Sequence, residues 1–169
     1  MERNLTVIGI DPGVTTGWAK ITIPIDSIFG TTSGEILDWQ YGVLDGPETA
    51  QAQTFCHIAK RYIWPAVAIE DFDNRKPLRN REYLAPVRVA SKIQFAIEIG
   101  LAGQCCGLEW QMPAMAMETA PDHRLKKWDL YPPGPDHPKD ATRHAITLIR
   151  RAKKDPKLAR RIFHTFGIA

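Results

Sequence analysis

Three acidic residues stand where chemistry is possible. Asp11 follows the apolar run Val7-Ile8-Gly9-Ile10, Glu70 follows Ala66-Val67-Ala68-Ile69, and Asp140 opens an amphipathic helical pattern. A carboxylate at the end of a buried strand sits at the rim of a sheet, against apolar surroundings. Burial disfavours its charge, so it calls for a counter-cation. Hard divalent cations take oxygen ligands, and Mg²⁺ accepts a few carboxylates together with substrate phosphate. Two such ions, roughly 3.5–4 Å apart, activate a water and stabilise a leaving 3′ oxygen. Gly9 and Gly13 flank Asp11, and a residue without a side chain lets backbone or phosphate come close. His137 lies three residues before Asp140, nearly one helical turn, so the two face the same way, and His144 and Arg151 extend that face. Each position also has a plainer reading. Asp11-Pro12-Gly13 is a common turn, Glu70 a solvated strand end, Asp140 a first-turn helix acid and His137 a loop residue. The combination of three acids on three segments of one α/β sheet points to a site at the strand ends. No CxxC pair and no His-x3-His spacing suggests zinc.

The elements that must position these residues can be read from periodicity. The chain has 169 residues, 44% apolar and 24% charged, which predicts one domain over residues 1–169 with a real core and excludes wholesale disorder. Strands are predicted over Leu5–Ile10, Thr16–Ile23 and Glu35–Leu44, an antiparallel meander with a turn-rich linker at Pro24–Gly34. A helix over residues 48–64, with Phe55, Ile58, Ala59 and Tyr62 on its face, ends at Pro65 and leads into the strand Ala66–Ile69. A charged stretch without clear period runs to about Pro86. Val87–Leu101 is helical, with Val89, Ile93, Ala96, Ile97 and Leu101 on one face. A short strand at Glu109–Met112, a short helix at Asp122–Tyr131, a break at Pro132–Pro135, a helix at Lys139–Lys154 and one more after Pro156 complete the reading. A meander followed by strands alternating with helices is a mixed α/β sheet flanked by helices. No apolar run approaches the 18 or so residues that span a bilayer, and the run before Asp11 is short for a secretory signal. Three cysteines, two of them adjacent, make no disulfide framework, so a cytoplasmic location is expected.

Net charge is +3, but unevenly spread. Residues 74–92 carry +5, residues 121–169 carry +7, and the remainder carries −9. An acidic body with two basic stretches suits a nucleic-acid binder with a metal-binding cleft; the alternative is that the basic residues are scattered solvated faces. The segment Phe72–Tyr83 joins two aromatics to Arg75, Lys76, Arg79 and Arg81 directly after Glu70. Aromatics stack on unpaired bases while Arg and Lys neutralise phosphate. The plainer reading makes Phe72 a core residue at a strand end.

The runs Ile8-Gly9-Ile10-Asp11-Pro12-Gly13, Ala68-Ile69-Glu70 and His137-Pro138-Lys139-Asp140-Ala141 resemble, in order and spacing, the three acidic motifs of RuvC-type Holliday-junction resolvases, nucleases of the RNase H-like (retroviral-integrase-like) superfamily. The resemblance spans Leu5 to about Leu148. The stretches Leu84-Ala85-Pro86-Val87-Arg88 and Asp140-Ala141-Thr142-Arg143-His144 look most like the RuvC-like proteins of bacteriophages. The resemblance implies an RNase H-like α/β fold: a five-stranded mixed sheet, an antiparallel meander plus parallel strands, with helices on both sides. It implies a homodimer and Mg²⁺- or Mn²⁺-dependent cutting of branched DNA, with two ions held by Asp11, Glu70 and Asp140. His137 stands where many members have a fourth acid and some have His, with Asp136 as a competing candidate. Lys126 and Lys127 lie in a stretch comparable to that of the family's active-site lysines. A four-way junction has approximate two-fold symmetry, which an isologous dimer matches with two identical sites. The face Val89, Ile93, Ala96 and Ile97 either forms that interface or covers its own sheet. Other readings are a less selective flap and fork nuclease, a non-catalytic junction binder, and an ATPase-like domain. The last rests on Asp11-x-Gly13-x-Thr15-x-Gly17, which fits a phosphate loop, but such ATPases close two domains around ATP.

The basic segment after Glu70 gives a direct test. Replacing Arg75, Lys76, Arg79 and Arg81 together by Ser should flatten the dependence of log affinity for a four-way junction on log salt concentration, by about 0.9 for each residue that meets a phosphate. An unchanged slope in a fluorescence-anisotropy salt series removes this segment from the DNA interface.

Overall fold

The computed structural model describes residues 4–29, 35–72, 84–105 and 107–163. Five strands form one sheet in the order β3-β2-β1-β4-β5: β1 (Asn4–Asp11), β2 (Thr16–Pro24), β3 (Asp38–Leu44), β4 (Ala66–Glu70) and β5 (Leu108–Gln111). β1 pairs antiparallel with β2 and parallel with β4; β2 pairs antiparallel with β3, and β4 parallel with β5. The central place of β1 explains its composition. Every residue from Leu5 to Asp11 is buried, as expected of a strand covered on both faces.

Period-two alternation divides the core. Leu5, Val7, Ile21, Ile23, Ala66 and Ala68 pack beneath α6 (Asp136–Lys154) and α7 (Pro156–Ile162), with Ala145, Leu148, Leu158 and Phe163. Ile8, Ile10, Val67 and Ile69 pack on the other face against α2 (Glu48–Ala59) and α3 (Ala85–Glu98), with Phe55, Ile58, Val89 and Ile93. The same alternation puts Gly9 and Asp11 of β1, and Glu70 of β4, on the face that α6 covers. Three short helices complete the chain: α1 (Asp26–Phe29) inside the expected linker, α4 (Pro113–Thr119), which periodicity did not indicate, and α5 (Asp122–Lys127). Among the described residues no helix is long and apolar enough to cross a membrane.

Some expected boundaries are corrected, and an open choice is decided. The last long helix begins at Asp136, not Lys139, so His137 sits in its first turn rather than in a loop. Pro138 is tolerated there because a first-turn N–H has no helical partner. The apolar face of α3 covers its own core: Val89 and Ile93 are 0% exposed and Ala96 5%. What α3 leaves outside is Val87 and Phe95, with Ile99 and Leu101 just beyond its end. Helix α2 is also shorter than expected, ending at Ala59, and β3 starts at Asp38.

Two glycines set the distance between α6 and the sheet. A Cβ on Gly9 would lie 1.9 Å from the Ala141 carbonyl oxygen and 2.8 Å from the Ala145 nitrogen. A Cβ on Gly17 would lie 2.1 Å from the His137 carbonyl oxygen. Gly17 is paired with Asp11 across the β1–β2 ladder, so both glycines seat the first half of α6 beside that carboxylate. Helix backbone, not a flexible side chain, is what an added methyl would strike. Gly9→Ala and Gly17→Ala should therefore each lower stability by about 3 kcal/mol or more, at the upper end of overpacking costs. Urea denaturation measures this, and a wild-type midpoint for either variant would contradict the close seating.

Candidate active site

The carboxyl ends of β1 and β4 and the start of α6 converge on one face of the sheet. Asp11 is 7% exposed at the end of β1. The turn after it is pinned by α2: Gln51 Nε2 donates to the carbonyls of Val14 (2.7 Å) and Gly46 (2.9 Å), and Gln51 Oε1 accepts from the Thr16 hydroxyl. The Gly13 N–H donates to Thr16 Oγ1 at 3.2 Å. A wholly buried glutamine thus fixes the loop that carries Asp11. Sequence reading missed it, since nothing in the helical pattern marks a polar residue on the inner face as structural.

Each acid has its own partner, and all three partners come from α6. Asp11 Oδ2 lies 2.6 Å from His137 Nδ1. Glu70 Oε2 lies 2.9 Å from His144 Nε2, on a ring that is 0% exposed. Asp140 pairs with the guanidinium of Arg143, which is itself buried. Arg143 reaches further: it pairs with Asp122 on α5 and donates from Nε to the Ala120 carbonyl at 3.1 Å, tying α4 and α5 to the site helix.

The electrostatics show that the carboxylates crowd one another. Burial pushes the Asp11 carboxyl up to about 6; the His137 hydrogen bond opposes that shift, and the charges of Glu70 and Asp140 add to it. Burial also raises the Asp140 carboxyl, against the pull of Arg143 and with a push from Glu70. His137 is raised in turn, chiefly by its hydrogen bond to Asp11, with burial opposing. Desolvated carboxylates that repel one another are the donor set a hard divalent cation relieves, and oxygen donors with one imidazole suit Mg²⁺ or Mn²⁺. The donor chemistry therefore fits such an ion. The geometry is not that of a finished cage: among the described residues no three His, Cys, Asp or Glu side chains are assembled to hold a metal, each acid being turned to its α6 partner.

The other expected residues divide. Asp136 is exposed and paired with Lys139 at 2.6 Å, so His137 and not Asp136 stands beside Asp11. His144 joins the cluster, as its spacing suggested. Arg151 does not, being held by Glu109 at 2.8 Å. Lys126 lies over the Tyr131 ring, 4.8 Å from its centroid, with Lys139 5.1 Å from the same ring; neither Lys126 nor Lys127 touches an acid of the cluster. Phe72 is half-buried two residues beyond Glu70. Arg75, Lys76, Arg79 and Arg81 lie outside the described residues.

No protein-family profile matches this sequence, and no curated protein matches it. Solved structures do. RuvC of Thermus thermophilus in complex with a Holliday junction substrate is similar with a TM-score of 0.59 at 18% identity, covering 89% of this chain and 96% of that one. A further Thermus thermophilus RuvC structure gives 0.58 at 17% identity over the same shares. At this identity the likeness is one of fold. The protein has the RuvC-like, RNase H-like α/β fold: a five-stranded mixed sheet of three antiparallel strands and parallel pairs, flanked by helices. Its acidic cluster lies at the strand ends, where sheets of this kind gather their sites.

The raised Asp11 carboxyl has a thermodynamic consequence. A folded-state value of about 6 against 3.8 means that ionising Asp11 costs about 3 kcal/mol of stability, lost as pH rises from about 4 through 6. Metal-free Asp11→Asn should then be more stable than wild type at pH 7, by up to that amount, with the gain vanishing below about pH 4. Denaturation in EDTA across this range checks it; equal stability at pH 7 would show that Asp11 is not electrostatically strained.

Proposed function

We propose that the protein is a metal-dependent endodeoxyribonuclease that hydrolyses phosphodiester bonds in Holliday junctions and related branched DNA. The observation that carries this reading is the convergence of Asp11, Glu70 and Asp140 from β1, β4 and α6 on a RuvC-type fold. Asp11, Glu70 and Asp140 would hold two Mg²⁺ or Mn²⁺ ions, with His137 as the fourth donor. Such ions, when bound, would supply an activated water and stabilisation of the leaving 3′ oxygen. The chain's own residues do the rest. Arg143 holds Asp140 against α5, Gln51 holds the Asp11 turn, and the hydrogen bond between His137 and Asp11 keeps that buried carboxylate from standing unpaired.

Branched DNA as substrate is supported by the Holliday junction bound to the similar RuvC, and by the basic stretches at 74–92 and 121–169. Phe72, Arg75, Lys76, Arg79 and Arg81 would meet the branch point just beyond Glu70, with Lys126 and Lys127 along a phosphate strand. A homodimer would present two such sites to the two-fold junction. With Val89, Ile93 and Ala96 committed to the core, the surface offered for pairing is the outer side of α3 and the turn after it, where Phe95 is 59% exposed and Ile99 52%.

Asp11→Asn, Glu70→Gln and Asp140→Asn should each reduce junction cleavage by about a thousandfold or more, several kcal/mol of transition-state stabilisation, while leaving junction binding within a few-fold of wild type. Cleavage assays on four-way junction, fork, flap and duplex, paired with band shifts in EDTA, test this. Wild-type turnover in any of the three variants removes that residue from the site. Equal rates on junction, fork and flap make the enzyme a general branched-DNA nuclease.

A further inference from the structure

The three acids are not held alike. Asp11 faces His137, whose side chain is 43% exposed, and Asp140 faces a guanidinium that is always charged. Glu70 faces His144, a ring sealed from solvent. The protonation of that ring is decided by its other neighbour. His144 Nδ1 lies 3.1 Å from the Gln111 side-chain amide, and Gln111 is 1% exposed.

The surroundings of the amide fix its orientation. With its nitrogen inward, Gln111 donates to His144 Nδ1 at 3.1 Å and to the His144 carbonyl at 3.2 Å, and its oxygen accepts from the Leu148 N–H at 3.2 Å. The opposite orientation sets oxygen against a carbonyl and nitrogen against an N–H. In this orientation Nδ1 accepts from Gln111, which directs the Nε2–H of His144 at Glu70 Oε2. Glu70 and Gln111 are partners in the β4–β5 register, so one strand pairing carries both the acid and the group that orients its donor.

We infer that Gln111 and His144 form a tautomer-fixed positioning relay for Glu70. The Nε2–H holds one carboxylate oxygen in place and leaves the other to a divalent cation. Among the described residues Glu70 Oε1 has no hydrogen-bond partner, which leaves that oxygen open to an ion. His144 touches neither substrate nor reacting atoms and acts only through Glu70. The relay rests on the metal-dependent reading above, and groups that orient metal ligands in this way are worth about 10–100-fold in metal affinity or activity.

Two measurements decide it. Long-range ¹H–¹⁵N NMR of the wild-type imidazoles needs no variant and should show the His144 proton on Nε2 alone at neutral pH. Mn²⁺ affinity from thermal-shift titration, with single-turnover cleavage of a four-way junction, should fall about 10–100-fold in His144→Leu and in Gln111→Leu. Junction binding in EDTA should not change. His144→Gln, which returns an N–H donor near the Nε2 position, should recover to within a few-fold of wild type. A proton on Nδ1, a doubly protonated ring, wild-type Mn²⁺ affinity in His144→Leu, or a His144→Gln as impaired as His144→Leu would each overturn the relay. If the wild type shows neither a Mn²⁺ shift nor cleavage, the metal reading fails and takes the purpose of the relay with it, while the tautomer result stands as structure.

Discussion

Helix α6 rests on the sheet at backbone distance, and the site depends on that contact. Gly9 and Gly17 leave no room for a methyl beneath the carbonyls of Ala141 and His137. Alanines at 141 and 145 continue the thin seam on the helix side. Because the helix is this close, His137 and His144 meet the acids at the ends of β1 and β4 directly. A helix one side-chain layer higher would carry the same residues out of hydrogen-bond reach of Asp11 and Glu70. The two glycines give up packing and conformational restraint in the strands, and in exchange the helix supplies a partner to every acid of the cluster.

That arrangement resolves an electrostatic conflict. Burial raises the carboxyls of Asp11 and Asp140, and repulsion from the neighbouring carboxylates adds to it. Unrelieved, such a cluster destabilises the fold. The chain answers with three different donors on one helix: a half-exposed imidazole, a buried imidazole and a buried guanidinium. Arg143 also answers a mechanical need, since its bonds to Asp122 and the Ala120 carbonyl fix the α4–α5 segment against α6.

The basic balance of the chain looks different once the ion pairs are known. In the block 121–169, Lys139, Arg143, Arg151 and Arg161 each pair with an acid of the same chain; in 74–92, Arg88 pairs with Glu48. Glu109 takes two of these cations, Arg151 and Arg161, and so pins β5 to α6 and α7. Part of the positive charge that reads as a nucleic-acid footprint is therefore structural. The charge left for phosphate is concentrated in fewer residues than the count suggests.

By itself, the sequence determined the parts that depend on local pattern. Alternation and apolar runs located all five strands and the three longest helices, and an acid directly after a buried strand singled out Asp11 and Glu70. A helical spacing of three to four residues put His137, Asp140 and His144 on one face, and the three acidic motifs in order pointed to the RuvC-like fold that the solved structures bear out. Only the tertiary structure decided which side chains meet across elements. That Gln51 pins the Asp11 turn, that Arg143 joins Asp140 to Asp122, that Gln111 orients His144, and that Arg151 goes to Glu109 are contacts between residues 21 to 42 positions apart or set by the α2 and β5 packing. No periodicity encodes them, because a helical or strand repeat fixes the face a residue occupies but not what the chain folds against that face. The inner face of α3 illustrates the same limit: its spacing marked it as buried, and only the packing of α2 beside it showed that the cover comes from the protein's own core.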